Sequence, residues 1–401
     1  MKIISIVLCL IIFQTAIAQQ TLIRINALDY ERNQTIVEVT LQKPLHASYN
    51  YKIVNQATGV SAAVQQTDSG TIIFMLPERL HAHETATYRL EKNIVSQKSA
   101  MPVKMVKSAK GILITLYEKP VLFYNTALIH PPDTLPEIYA RSGFIHPLYT
   151  PAGKVLTDDF PVGHAHQHGI MMAWANTMFK KKPHDFWNQH QKTGNVQHVK
   201  EESINTGPVI STLKCRLQHY INSVGEVLNE IWTLTIYPVK GYFLFDIRSE
   251  QTNTTTDTLF LNKYLYGGMA FRGSNEWNNA DSFHFKNSWR ITTDSKSGIL
   301  DADGSRAAYV SASGLINGTE TGVTVFGFPE NDNYPQPIRV HPVMPYWCFA
   351  PAASIPFMIQ PGKPYISHYR YYVHDGSPDE TRIKQLNNDV VYPPEVRVYY
   401  R

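Results

Sequence analysis

Apolar and polar residues alternate along most of this chain in short runs bounded by Gly, Pro, Asn and Asp. That period of two predicts strands, each with one buried and one polar face. The clearest cover Ile231–Pro238, Tyr242–Glu250, Arg306–Ser311, Val323–Phe328 and Tyr365–His374. In Tyr242–Glu250, Phe243, Phe245 and Ile247 share one face, and Asp246, Arg248 and Glu250 take the other. Val239-Lys240-Gly241 supplies a hairpin turn between the first two strands. One helix is signalled. Ser377-Pro378-Asp379-Glu380 reads as a capping box with Pro at the first helical position, and Ile383 and Leu386 form a narrow apolar stripe behind it.

The fold class expected from this pattern is all-β, a large antiparallel sandwich preceded by a small immunoglobulin-like β-sandwich. Turn signals at Asn55–Gly59 and Asp68–Gly70 punctuate the small body, placed at residues 19–105. The Lys-rich stretch Lys104–Lys110 follows, and residues 106–401 form the large body, where aromatic and histidine residues concentrate.

Composition narrows the function. Of 401 residues, 43% are hydrophobic, which excludes a disordered chain, and 37 basic against 33 acidic residues leave no basic face for nucleic acid. Lys2, the apolar run Ile3–Phe13 and Ala16-Ile17-Ala18 read as a secretory signal over residues 1–18, so export to the periplasm or outside the cell is expected. No comparable apolar run follows, so no membrane span is expected after the signal. Cys215 and Cys348 then remain, too far apart in sequence for a zinc-ligand pattern; an oxidising compartment permits a bridge between them, but the apolar run around Cys348 favours two separate buried thiols.

Chemistry is concentrated between Phe144 and Trp187. Asp158-Asp159-Phe160-Pro161-Val162-Gly163 leads into His164, His166 and His168, and His184-Asp185-Phe186-Trp187 closes the segment. If the backbone is extended, three alternate histidines share one face about 7 Å apart. Such imidazoles can bind a metal or exchange protons. A divalent ion such as zinc would need a third ligand, from His198, Glu250, Glu276, His284 or His341. The cofactor therefore stays open. A second cluster runs from Tyr264 to Trp277: Arg272 is a planar donor for hydroxyls or carboxylates, Glu276 a base or acid, and Trp277 a stacking surface. A proline-rich stretch, Phe328–Pro342, carries Arg339 and His341. No Gly-x-Ser-x-Gly elbow, P-loop or dinucleotide fingerprint is present.

Several motifs in order carry a resemblance. His146 to Gly153, His164 to Gly169, Asp185 to Trp187, Tyr266 to Arg272 and His374-Asp375-Gly376 together resemble the bacterial exported PmoA family, over roughly residues 110–390. The label methane oxygenase that travels with that family is set aside, because such a subunit is a membrane protein and no span is legible here. The resemblance implies a galactose-mutarotase-like super-sandwich, a scaffold of sugar epimerases, hydrolases and lyases. The leading expectation is an exported carbohydrate-active enzyme acting on a saccharide. Its catalytic group would be His164, His166, His168, Asp185 and Glu276, with His166 moving the proton and Asp185 orienting an imidazole. Trp187, Arg272, Trp277 and His341 would bind substrate, with Trp174 and Trp347 as further sugar platforms. The alternative is a non-catalytic glycan-binding or surface-assembly protein.

Overall fold

The computed structural model describes residues 20–68, 70–93, 101–278 and 289–401. Residues 1–18, read above as an export signal, and His284 lie outside the described residues.

Two large antiparallel sheets face each other. One runs in the order Arg306–Ala307, Gln336–Val340, Tyr346–Phe349, Gly268–Arg272, Ile170–Ala173, Phe144–Leu148, Lys119–Asn125, Gly111–Leu116 and Val103–Lys107. The other runs Gly194–Thr206, Ser211–Ile221, Gly225–Tyr237, Phe243–Asn253, Pro364–Asp375, Thr319–Gly327, Tyr309–Ile316 and Arg290–Thr293. The inward residues of both, Ile170, Met172, Leu213, Trp232, Phe245 and Ile247 among them, pack into one core. This is the antiparallel sandwich that the alternation predicts and, in its size, the super-sandwich that the resemblance implies. A four-stranded sheet of Lys182–His184, Thr177–Phe179, Leu259–Leu261 and Phe357–Ile359 lies beside it.

The preceding small body has its own core of Ile23, Val39, Ile53, Phe74 and Tyr88. Its two halves are joined by the brief pairing of Gln65–Gln66 with Ile72–Ile73. The final strand, Glu395–Tyr400, leaves the large body and pairs along the whole of Thr21–Asn26. A chain end that returns to the first strand leaves no local trace, so the sequence reading kept it with residues 106–401.

Between the bodies lies the helix Glu380–Val391. Its cap is Asp379, whose side chain accepts from the Arg382 backbone N–H; Ser377 is not the cap. Ile383, Leu386 and Val390 pack on Leu244, Phe326 and Tyr372 of the large sheet and on Ile73 of the small one. That cover corrects the polar-face assignment of Asp246, which is buried under the helix side and pairs with Arg370. Cys215 and Cys348 are separate buried thiols. Burial pushes them up to about 12 and about 11. Among the described residues no helix is long and apolar enough to cross a membrane.

Candidate functional site

The loop from Thr157 to Gly169 folds back across the end of the strand Gly268–Arg272. Thr157 bridges Gly273, the Asp158 N–H donates to the Arg272 carbonyl at 3.2 Å, and Asp159 bridges His168. Within it the chain makes two successive turns, His164 N–H to Pro161 O at 3.0 Å and Gln167 N–H to His164 O at 2.9 Å. The extended backbone assumed for the three histidines is therefore absent, and a turn does not preserve strand alternation. His164 and His166 emerge together, with ring centroids 5.6 Å apart. His168 points the other way.

His168 is fully buried between Phe144 and Phe160, at centroid distances of 5.1 and 4.9 Å. Its Nδ1 sits 2.5 Å from Asp159 Oδ1, and its Nε2 3.4 Å from Gln189 Oε1. It anchors the loop and does not join the surface cluster. Gly169 permits the crossing: at φ +33° any Cβ would lie 2.0 Å from the Ile145 carbonyl oxygen.

His341 follows the strand Gln336–Val340 and completes the surface group. Imidazoles run in a line from His341 to His164 (5.2 Å), to His166 (5.6 Å) and to His190 (6.0 Å). Two backbone N–H groups, of Val343 and Met344, donate to His341 Nδ1 at 3.2 and 3.0 Å. Its lone pair is thereby occupied and its proton sits on Nε2, so this ring presents a donor. Burial, His164, Arg339 and Arg272 pull His341 down to about 4. Burial and its neighbours His164, His168, His190 and Arg141 pull His166 down to about 3. Burial, then Arg272, lowers His164 as well. At neutral pH His341, His166 and His164 are uncharged. Among the described residues no group of three or more His, Cys, Asp or Glu side chains is disposed to hold a metal ion, and the occupied Nδ1 of His341 removes it as a neutral nitrogen ligand.

Behind the line of rings lies the pair Arg272 and Asp158. Arg272 is buried; its Nη1 donates to Gln167 Oε1 at 3.0 Å, and its Nη2 lies 3.8 Å from Asp158 Oδ2. Arg272 Nε and Nη2, Asp158 Oδ2 and His164 Nδ1 are buried without a hydrogen-bond partner. Each such atom costs about 1–3 kcal/mol when nothing satisfies it. Burial raises the Asp158 carboxyl to about 6 despite Arg272. Its side chain keeps 17% exposure, so it is reachable from the surface.

The other predicted site residues are elsewhere or otherwise engaged. Asp185 orients no imidazole. Its carboxylate accepts from the backbone N–H groups of Trp187, Asn188 and Asn176 and from the Asn188 side chain, tying its own loop together. Glu276 accepts from the Asn317 N–H of a hairpin turn. Trp277 is fully buried and donates to the Leu315 carbonyl. Trp187 is buried against Tyr266 and Tyr346, and Trp174 and Trp347 are core residues, so none of the four offers a sugar a face. The physical reason is common to all: in a thick sandwich the largest apolar side chains fill the core. His198 pairs with Tyr124, and Glu250 with Arg248. The sequence reading missed Asp158, Gln167 and His190. Asp158 stood in the motif as half of an Asp-Asp pair, but only the fold gives one carboxylate to His168 and the other to Arg272. His190 carried no signal.

The sequence profile of a family of unknown function, DUF6807, matches residues 112–388. No curated protein matches the sequence. Among solved structures, an α-mannosidase from Enterococcus faecalis is similar at 8% identity and a TM-score of 0.47, over 95% of this chain and 46% of that one. A heparan sulfate lyase from Pedobacter heparinus is similar at 10% identity and a TM-score of 0.33, over 69% and 35%. A galactose mutarotase related enzyme from Lactobacillus acidophilus is similar at 8% identity and a TM-score of 0.32, over 69% and 98%. The chain thus spans under half of the mannosidase and of the lyase, and at these scores none of the three carries an argument about chemistry.

Proposed function

We infer the activity of this chain, which belongs to the DUF6807 family of unknown function, from its imidazole cluster and the carboxyl behind it: an exported enzyme that moves a proton to or from a saccharide. One observation supports it above the rest. Asp158 Oδ2 and Arg272 Nη2 lie 3.8 Å apart, buried and partnerless, and His164 Nδ1, in the neighbouring group of uncharged imidazoles, is likewise buried without a partner. A proton-transfer group is most effective when its pKa lies near the working pH. By that criterion Asp158, at about 6, takes the role first expected of His166, whose ring is too weak a base at about 3. The neutral rings of His166 and His341 serve as hydrogen-bond partners for substrate hydroxyls or a developing oxyanion. Arg272 is a positioning residue, fixing Gln167 and setting the field at Asp158. The choice of a saccharide rests on this donor set: neutral imidazoles, an amide and a carboxyl are groups that engage vicinal hydroxyls.

The test is turnover of a panel of neutral and acidic oligosaccharides by the wild type and by Asp158→Asn and His166→Ala. Product formed by the wild type, lost by at least 100-fold in Asp158→Asn with a melting temperature no lower than the wild type's, is the expected result. Saccharide affinity without product would make the protein a glycan-binding module instead. Full activity of Asp158→Asn would sink the assignment of the proton.

A further inference from the structure

The strand Gln336–Val340 leads into His341 of the imidazole cluster, and along it lies a hollow of about 490 Å³. The segment after the strand Leu259–Leu261, the turn at Asp303 and Gly304 and the residues Ala353 and Ser354 line its other sides. Its volume falls in the range usual for small-molecule sites, about 300–1,000 Å³. Three cations border it, Lys263, Arg306 and Arg339, against one carboxylate, Asp303.

Each charge is held differently. Arg339 pairs with Asp303, whose other oxygen accepts from the Val340 backbone N–H at 2.9 Å. That carboxylate is thereby engaged. Arg306 is pinned by neutral groups: Nη1 donates to the Asn333 and Pro335 carbonyls at 3.0 and 2.8 Å, and Nη2 to Asn333 Oδ1 at 2.9 Å and Ser354 Oγ at 3.1 Å. Carbonyls and a hydroxyl fix a guanidinium without cancelling its charge. Lys263 is exposed, and among the described residues its ammonium makes no ion pair. The wall therefore carries two uncompensated positive charges, one rigidly placed and one on a flexible stem. A wall of that kind selects an anion.

The neighbourhood narrows the class of anion. Arg339 and His341 flank Val340, which is buried in the core, so both leave the strand on its other side, about 7 Å apart. The His341 N–H donates to the Tyr346 carbonyl at 2.9 Å, which keeps the chain extended there. Arg339 is also one of the charges that lower His341. The hollow thus adjoins one end of the row of imidazoles, and a chain molecule with one unit at the rings can lay the next in the hollow.

We propose that this hollow is a subsite for an anionic unit of the saccharide, one bearing a carboxylate or a sulfate, with Lys263 and Arg306 meeting its charged oxygens. The proposal rests on the saccharide reading above and adds the charge of the substrate, which that reading leaves open.

The experiment is calorimetric binding by the full chain, as wild type and as Asp158→Asn, to paired ligands: an oligogalacturonate and its methyl ester, and a carrageenan oligosaccharide and its desulfated form. The charged member of at least one pair should bind about tenfold tighter or more, and less tightly as salt is added. The pair that responds tells carboxylate from sulfate. Lys263→Glu and, separately, Arg306→Gln each remove the preference, while Lys182→Glu, an exposed charge change outside the hollow, keeps it. Arg306→Gln also loses the ties to Asn333, Pro335 and Ser354, so if its melting temperature falls, Lys263→Glu decides. Equal binding of charged and neutral forms, a preference that survives Lys263→Glu, or a site that takes inorganic sulfate but no acidic saccharide overturns the subsite. Turnover separates the two readings. Charge-selective binding lost in Lys263→Glu, with no product from any saccharide, keeps the subsite and removes the proton-transfer role; product from neutral saccharides with no preference for charge does the reverse.

Discussion

Arg272 Nη2 lies 3.8 Å from Asp158 Oδ2, beyond hydrogen-bond reach, and neither atom has another partner. The guanidinium is near enough to favour the carboxylate and too far to satisfy it, so burial prevails and the carboxyl rises to about 6.

This sets a pH dependence. A carboxyl whose folded value is raised binds its proton more tightly in the native state. Stability contributed by Asp158 is therefore fully present below the unfolded value of about 3.9 and declines as pH rises toward about 6. Asp158→Asn should flatten the fall in unfolding free energy across that window, read from denaturant titrations at pH 4, 5, 6 and 7. In the same variant the acidic limb of the pH–rate profile should disappear.

The two outer members of the His-x-His-x-His run should separate by role. His168→Ala removes a fully buried ring held by Asp159 and packed by two phenylalanines, and should cost about 2–4 kcal/mol in equilibrium unfolding. His164→Ala, at a half-buried position, should stay within about 1 kcal/mol of wild type and act on turnover. Equal destabilisation of both would contradict the anchor role of His168.

Gly169→Ala should be worse than its small volume suggests. The new methyl would meet the Ile145 carbonyl oxygen and the His146 side chain. A loss of about 2 kcal/mol or more, with the site disturbed through the displaced loop, is the expected outcome in thermal and denaturant melts. Gly153→Ala is the control: its Cβ would have open space, although its φ of +81° adds some strain.

Far from the site, Asp246 accepts from Arg370 through Nε at 2.8 Å and Nη2 at 2.9 Å, and from Tyr237 at 2.8 Å. Burial opposes its charge, but Arg370 and His368 prevail and hold the carboxyl well below the usual range. Its stabilisation is present above the unfolded value of about 3.9 and is lost as pH falls below it. Arg370→Leu should therefore cost about 3–5 kcal/mol at pH 7, and less at pH 3, by chemical denaturation.

Much of the architecture was legible before any coordinates. Strict alternation in Phe243, Phe245 and Ile247 cannot be buried except by a sheet with a second layer, so a β-sandwich followed from the side-chain period alone. Helix 380–391 was legible because capping residues and the apolar Ile383 and Leu386 lie close together in the sequence, although the cap is Asp379 and not the Ser377 that the capping box named. The candidate site was half legible: the segment around His164 and the distant Arg272 and His341 do meet at one sheet end. What alternation could not settle was direction within a turn, and so His168 was placed on the wrong side.

Residue type and local spacing determined the layers, the helix and the stretch of chain that holds the imidazoles, because those depend on contacts between near neighbours. Only the tertiary structure decided which of two adjacent aspartates faces Arg272, which tryptophans vanish into the core, and that the last strand returns to the first. Those outcomes depend on which distant side chain arrives to occupy a lone pair or a surface. No pattern along a single chain encodes that arrival, because it is fixed by how the sheets pack.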